Sequence, residues 1–303
     1  MKLSNRPSRL AAPLIALLAC FPASTWALPL LGAELSSFAV LGAAAVTNTG
    51  PTTLIGGLGV SNNSSQTGIT GFFGTLANDG PGTATGAIHQ GDAYALIADG
   101  QLVNAMTSLS LMGPGTTLGA SLDGLTLGSG VYTVLAGVTN LTGTLTLDGG
   151  GNANAYWVFQ MPSTLITSAG SVVNVINTGA GAGVYWNIGS SATLGANTTF
   201  EGNLLASASI TFNDGVNLSC GRALAHTGAV TMMNDHVNAV DCAGTGEEGS
   251  QGLSGGLTVS GPGGLPTPLP VLPAIPEPET WALMLAGLGA LRWAVSARRA
   301  QAR

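Results

Sequence analysis

The chain has 303 residues, of which 45% are apolar and only 7% charged, and 46 are glycine. An average soluble protein is roughly one quarter charged, so this surface must be built mostly from small neutral side chains. Arg222 is the only base between Leu10 and Leu291, which leaves no cationic groove for nucleic acid or for phosphorylated cofactors.

Residues 1–27 read as a secretory signal. Lys2, Arg6 and Arg9 form its charged region, Leu10 to Phe21 its apolar region, and Pro22 to Ala27 a small-residue exit with cleavage expected after Ala27. A competing possibility is lipidation of Cys20, because Leu17-Leu-Ala-Cys20 resembles a lipobox.

Residues 28–243 form the expected folded domain. Short apolar and polar alternations broken by Gly or Asn dominate Leu111 to Val240, which is strand-and-turn composition. Apolar residues in similar contexts, Leu145, Ile166, Leu194, Ile210 and Val230, recur at irregular steps of 16 to 28 residues. Three short strands per period predict a three-sided β-solenoid whose stacked coils share one core. That ladder points inward, so its neighbours Thr146, Thr167, Gly195, Thr211 and Thr231 are expected to point outward. A second outward row is expected at Thr144, Leu165, Thr193, Ser209 and Ala229. Phe38 to Thr49 shows the same pattern far upstream, and Val46-Thr47 extends both ladders. Between these parts, Ala87 to Leu109 has helical spacing of Ile88, Ala95, Leu96, Val103, Met106 and Leu109, with Thr85 as cap. Such a helix must bury its stripe along one solenoid face. Trp157 and Trp186 begin equivalent strands and are expected to fill the core or meet the helix.

Cys220 and Cys242 are about one coil apart, which suggests a disulfide in an oxidising exterior, the alternative being two free buried thiols. Residues 244–275, with Gly-Ser runs and then Leu265-Pro-Thr-Pro-Leu-Pro270, read as a spacer with no core of its own. Residues 276–303 hold Pro276-Glu277-Pro278, an apolar run from Trp281 to Leu291, and a tail with Arg298, Arg299 and Arg303. Arg beyond an apolar segment holds that end on the cytoplasmic side.

The C-terminal pattern resembles the PEP-CTERM sorting signal, although Arg292 ends the apolar run after 11 residues. That resemblance implies a protein of a Gram-negative bacterium, made as an inner-membrane-anchored precursor. Signal peptidase and an exosortase would process it for release or surface display. The domain resembles the bacterial and fungal ice-binding family. Val46-Thr-Asn-Thr-Gly-Pro-Thr-Thr53, Gly86-Ala-Ile-His-Gln-Gly-Asp-Ala93, Trp157-Val-Phe-Gln160, Gly189 to Gly195 and Gly221-Arg-Ala-Leu-Ala225 carry the likeness. It implies an all-β, right-handed discontinuous β-solenoid, one long helix along a face, a first coil stacked on the last, and a flat face that adsorbs to ice. Asn62 to Thr83 leaves room for only a small cap before the helix.

Ice as partner needs no cofactor, metal or catalysis. Stacked coils repeat every ~4.8 Å, so a Thr column sets methyl and hydroxyl groups on a rigid lattice near an oxygen repeat of ice. The expected ice-binding residues are Thr47, Thr146, Thr167, Thr193, Gly195, Ser209, Thr211 and Thr231. The alternative is that the helix covers this face and another is active. A solenoid lyase needs clustered acids and a base, and a glycosidase needs two facing carboxylates; here the acids are scattered singly. His226 and His236 with Asp214 and Asp235 lack compact ligand spacing and read as turn and surface residues. A second function class fits the same address: a surface, biofilm-matrix or adhesion protein without ice activity.

Overall fold

The computed structural model describes residues 27–137, 139–240, 250–271, 285, 286 and 288. Successive coils lay their strands into three parallel sheets of nine, eight and six strands. Alternate residues turn inward, so Val46, Ile210, Val230, Leu145 and Leu194 are fully buried in one continuous core. Aromatic rings stack along its axis: Phe159 lies 4.0 Å from Trp186 and 10° off parallel, with Tyr132 and Phe200 continuing at 5.8 and 4.9 Å. Trp157 and Trp186 are both fully buried in this core. Their indole N–H groups are satisfied by the carbonyls of Leu127 (3.0 Å) and Glu201 (3.1 Å).

One corner of the triangle turns without a loop. Gly202 separates strand Thr199–Glu201 from Asn203–Ala206 at φ +103°, and a Cβ on Gly221 in the next coil would meet the Gly202 carbonyl at 1.9 Å. Only glycine permits that φ and that approach.

Coil order in space departs from chain order. Phe38–Gly42 pairs with Ala223–Ala225 on one side and Gly57–Val60 on the other. Ala45–Thr49 likewise pairs with Ala229–Met233, so the first coil stacks on the last. The segment expected to hold a small cap contributes Ile69–Thr70 and the Phe72–Gly82 bridge to the terminal coil.

A helix runs along the nine-stranded sheet. We designate it α2, Ala93–Leu111, after the short α1, Ala33–Ser36. It starts later than the periodicity predicted. Ile88–Gln90 is an edge strand of that sheet, Gly91 turns at φ +63°, and the Asp92 carboxylate, not Thr85, caps the helix by accepting from Ala95 N–H at 2.9 Å. Ala95, Ala98, Leu102, Ala105 and Leu109 form the buried stripe, and the three alanines let the helix sit close to the sheet. Leu96 and Val103, expected in that stripe, are exposed.

The expected spacer is partly folded. Leu257–Val259 pairs antiparallel with Leu28–Pro29 and with Pro266–Pro268, and Leu253 and Leu257 are buried. Spaced apolar residues within Gly-Ser sequence gave this strap its own anchor, so residues 250–271 belong with the domain. Beneath it, the buried Arg222 guanidinium donates to five groups. These are the carbonyls of Ser36 (2.8 Å), Ala239 (2.9 Å), Gln251 (3.1 Å) and Gly252 (3.3 Å), and Asn203 Oδ1 (3.0 Å). Burial brings its pKa down to about 10. The Tyr185 hydroxyl reaches the strap from the sheet, donating to the Ser254 carbonyl.

Candidate functional site

The six-stranded sheet is the distinctive surface. Its register places Ile166, Thr193, Thr211, Thr231, Thr47 and Thr70 side by side in stack order. The residue before each, from Leu165 through Ala192, Ile210, Val230 and Val46 to Ile69, is buried, so this column faces out. Thr47 and Thr231 are exposed and the others half-buried. Five threonines therefore repeat at the strand spacing of ~4.8 Å over about 19 Å. None of the six strands contains an ionisable residue, whereas the eight-stranded sheet carries Asp148, Glu201 and His236. The nine-stranded sheet lies under α2, whose buried residues share a cluster with Val158, Tyr185, Leu205 and Leu224.

Four of the expected site residues, Thr47, Thr193, Thr211 and Thr231, come together in this column. Thr193 belongs to the main row rather than the second one. Ser209 immediately precedes the strand Ile210–Phe212, with its N–H 3.3 Å from Ser191 Oγ. Three others do not join. Thr146 lies in the eight-stranded sheet between Thr126 and Asn174. Thr167 is buried, its hydroxyl accepting from Gly195 N–H (3.0 Å) and lying 3.2 Å from Thr198 Oγ1. Gly195 is buried in the adjoining turn. Ile166 takes the outward place instead, because Leu165 is the inward residue of that coil. Thr70 was missed, although Ile69-Thr70 after Gly68 repeats the apolar-Thr signal of Val46-Thr47.

A buried polar network fixes the corner where the first coil meets the last. Asp235 accepts from Val216 N–H and Met233 N–H, both at 2.7 Å. Its own N–H donates to Thr52 Oγ1 (3.0 Å), Thr52 donates to Asn48 Oδ1 (2.5 Å), and Asn48 Nδ2 donates to the Gly50 and Gly71 carbonyls. Burial pushes the Asp235 carboxyl up to about 6 against the pull of its two backbone donors, and the neighbouring Asp214 adds to the rise. Among the described residues, no group of three His, Cys, Asp or Glu converges as a metal site. His226 and His236 diverge: the first lies 3.1 Å from Asp99 of α2, the second pairs with Asn217 and Thr53 in the eight-stranded sheet. Cys220 is buried with its sulfur 3.6 Å from Ser250 Oγ. Cys242, Pro276, Glu277, Pro278 and the secretory signal up to Trp26 lie outside the described residues.

Comparison with known proteins gives a consistent picture. A family model described as Ice-binding-like matches residues 40–238. An ice-binding protein of Nostoc sp. (strain HG1) is 45% identical over 204 residues, which is 67% of this chain and 71% of that protein. The crystal structure of an ice-binding protein from the Antarctic ascomycete Antarctomyces psychrotrophicus superposes with a TM-score of 0.62 at 34% identity, over 70% of this chain and 98% of that one. The corresponding domain of Shewanella frigidimarina ice-binding protein 1 gives 0.61 at 26% identity, over 70% and 97%.

Proposed function

The chain belongs to the Ice-binding-like family, and from that premise we propose that it adsorbs to ice through the six-stranded sheet. One observation carries the choice of face: the column from Thr193 to Thr70 is uncovered by α2 and free of ionisable residues. Each threonine offers a methyl group that orders nearby water and a hydroxyl that anchors it. The parallel backbone ladder holds these groups at fixed spacing, so many weak contacts act together without an ordering cost at each side chain. Charges on this face would hold a strongly solvated, disordered water layer instead. No covalent step is needed, and the domain works as an adsorbent rather than a catalyst.

The test is bulk at the centre of the column. Thr231→Tyr should abolish most inhibition of ice recrystallisation, because the ring lifts its neighbours off the lattice. A variant that stays folded and keeps full ice activity would show that another face binds.

Three further features complete the proposal. The chain is exported after cleavage at Ala27 and held by its C-terminal apolar segment in the inner membrane, with Pro276-Glu277-Pro278 as the processing motif. Replacing Glu277 with Ala should then leave unprocessed protein in that membrane, and normal surface delivery would defeat the idea. A Cys220–Cys242 bridge closes the last coil, supported by the burial of Cys220 at a strand end. Alkylation of two free thiols in native secreted protein would remove the bridge from the proposal.

A further inference from the structure

The outer face of α2 poses a problem that ice adsorption does not solve. A surface helix normally buries one apolar stripe and shows water a polar one. Here the inner stripe is buried, yet the outward side presents Leu96 (50% exposed), Ile97 (51%), Val103 (38%) and Leu111 (54%). The helix contains no Lys or Arg, and its only acid, Asp99, faces His226 at 3.1 Å. A strip of this kind on an exported domain marks a contact with something apolar.

The path of the chain indicates what that contact is. The strap packs against α2 through Pro266–Pro268, and its exposed side chains include the apolar Leu265 and Val271 beside Gln251, Ser260 and Thr267, with the apolar Leu28 exposed on the strand it pairs with. Beyond Val271, residues 272–280 reach at most about 30 Å when extended. The apolar run from Trp281 to Leu291 follows, with Trp at one end and Arg292, Arg298, Arg299 and Arg303 at the other. Trp and Arg at the two ends of an apolar segment are interfacial anchors. A membrane holding that segment therefore lies within one short tether of α2.

We propose that, in the anchored precursor, the outer face of α2 together with the strap rests on the lipid bilayer surface, directing the six-stranded sheet away from the membrane. This rests on the membrane-anchor proposal above. Four exposed aliphatic side chains without a basic flank would bind lipid weakly in a free domain. The tether makes the encounter intramolecular, and its effective concentration converts weak affinity into occupancy. The lack of Lys and Arg on the helix makes the contact depend on apolar area rather than on anionic headgroups. Release of the tether would free the domain from the surface.

The experiment uses the mature full chain, residues 28–303, reconstituted into vesicles of phosphatidylethanolamine and phosphatidylglycerol. An environment-sensitive fluorophore is placed on Leu96→Cys or on Thr231→Cys, with protein lacking an introduced cysteine as background. Lipid carrying a nitroxide near the headgroup end of its acyl chain should quench the probe at 96 by at least about twofold and leave that at 231 unchanged, as expected for a helix seated at the acyl boundary. Ile97→Asp, at a half-exposed site, should weaken this quenching without reducing co-flotation with vesicles. Chain that floats but shows equal quenching at both positions overturns the proposal while leaving the anchor intact. Chain that does not float removes the anchor and this proposal together. A probe signal at 96 that follows protein concentration, not nitroxide lipid, assigns the face to a second copy and overturns the proposal as well.

Discussion

Two columns of the same three coils show how little separates a covered face from a bare one. On the nine-stranded sheet, Leu41, Leu224 and Leu205 stand side by side, and on the six-stranded sheet Thr47, Thr231 and Thr211 do the same. Backbone pairing, strand direction and inward residues are alike. The leucine column is fully buried against α2, while Thr47 and Thr231 are exposed and Thr211 is half-buried, with α2 on the other sheet. Where the leucine column gives way to Asn187 and Gln160, the helix is ending. Gln160 Nε2 donates to the Leu109 carbonyl (2.6 Å) and Asn187 Nδ2 to Ser110 Oγ (3.0 Å), so the sheet caps the last helical turn. The solenoid fixes position, and one outward residue per coil decides what each face meets.

The comparison breaks most severely at Arg222, which ties the covered side together. Arg222→Ala should cost about 3–5 kcal/mol, because four carbonyls and Asn203 lose a charged donor in the interior. Denaturant unfolding measures this, and a loss below about 1 kcal/mol would mean that water replaces the guanidinium. Leu224→Ala comes next, with about 2–5 kcal/mol expected from lost burial and the cavity left under α2. Amide exchange should also show local loosening of α2.

A smaller effect lies at the junction of first and last coils. The Asp235 carboxyl titrates near 6 in the folded chain, above the usual 3.8. The folded state therefore holds its proton more tightly than the unfolded state between those values. Its contribution is fully present below about pH 4 and is lost as pH rises through about 6, on the order of 1–3 kcal/mol. Melting temperature against pH, compared with Asp235→Asn, checks this; a profile unchanged by the substitution refutes it. The smallest effect on stability is Thr231→Tyr, within about 0.5 kcal/mol, since the side chain faces solvent. The contrast with Leu224→Ala is the sharpest form of the comparison: one substitution should cost stability, the other only ice activity.

Much of this was legible in the sequence, and the failures share a cause. Val46, Ile210 and Val230 read as inward, and Thr47, Thr211 and Thr231 as outward, because two-residue alternation is clear in those coils. Thr167 was misplaced by one residue, and in a strand a single step exchanges the two faces; Gly195 was misplaced because the strand Ala192–Leu194 ends before it, leaving Thr193 as its outward residue. The coil holding Leu165 and Ile166 gives the six-stranded sheet only those two residues, too few for alternation to fix the phase. Leu145-Thr146 looks like Ile210-Thr211 but occupies a different sheet, since uneven coil lengths hide which side of the triangle a strand is on. The strap was hidden by its composition: Leu253, Leu257 and Val259 gain their burial from distant partners that local pattern cannot reveal.

The stacking of the first coil on the last has a kinetic consequence. Asp235 N–H meets Thr52 across 183 residues of chain, and Arg222 meets Ser36 across 186. A chain delivered from its N-terminus presents Phe38–Gly42 and Ala45–Thr49 long before the strands that complete them, leaving two unpaired edges exposed meanwhile. Such high contact order slows folding, and no truncated intermediate lacking residues 223–238 can close the stack. Commitment to the native state must therefore wait until nearly the whole domain has been delivered, which makes exposure during export, rather than final stability, the step at which this architecture is most vulnerable to aggregation.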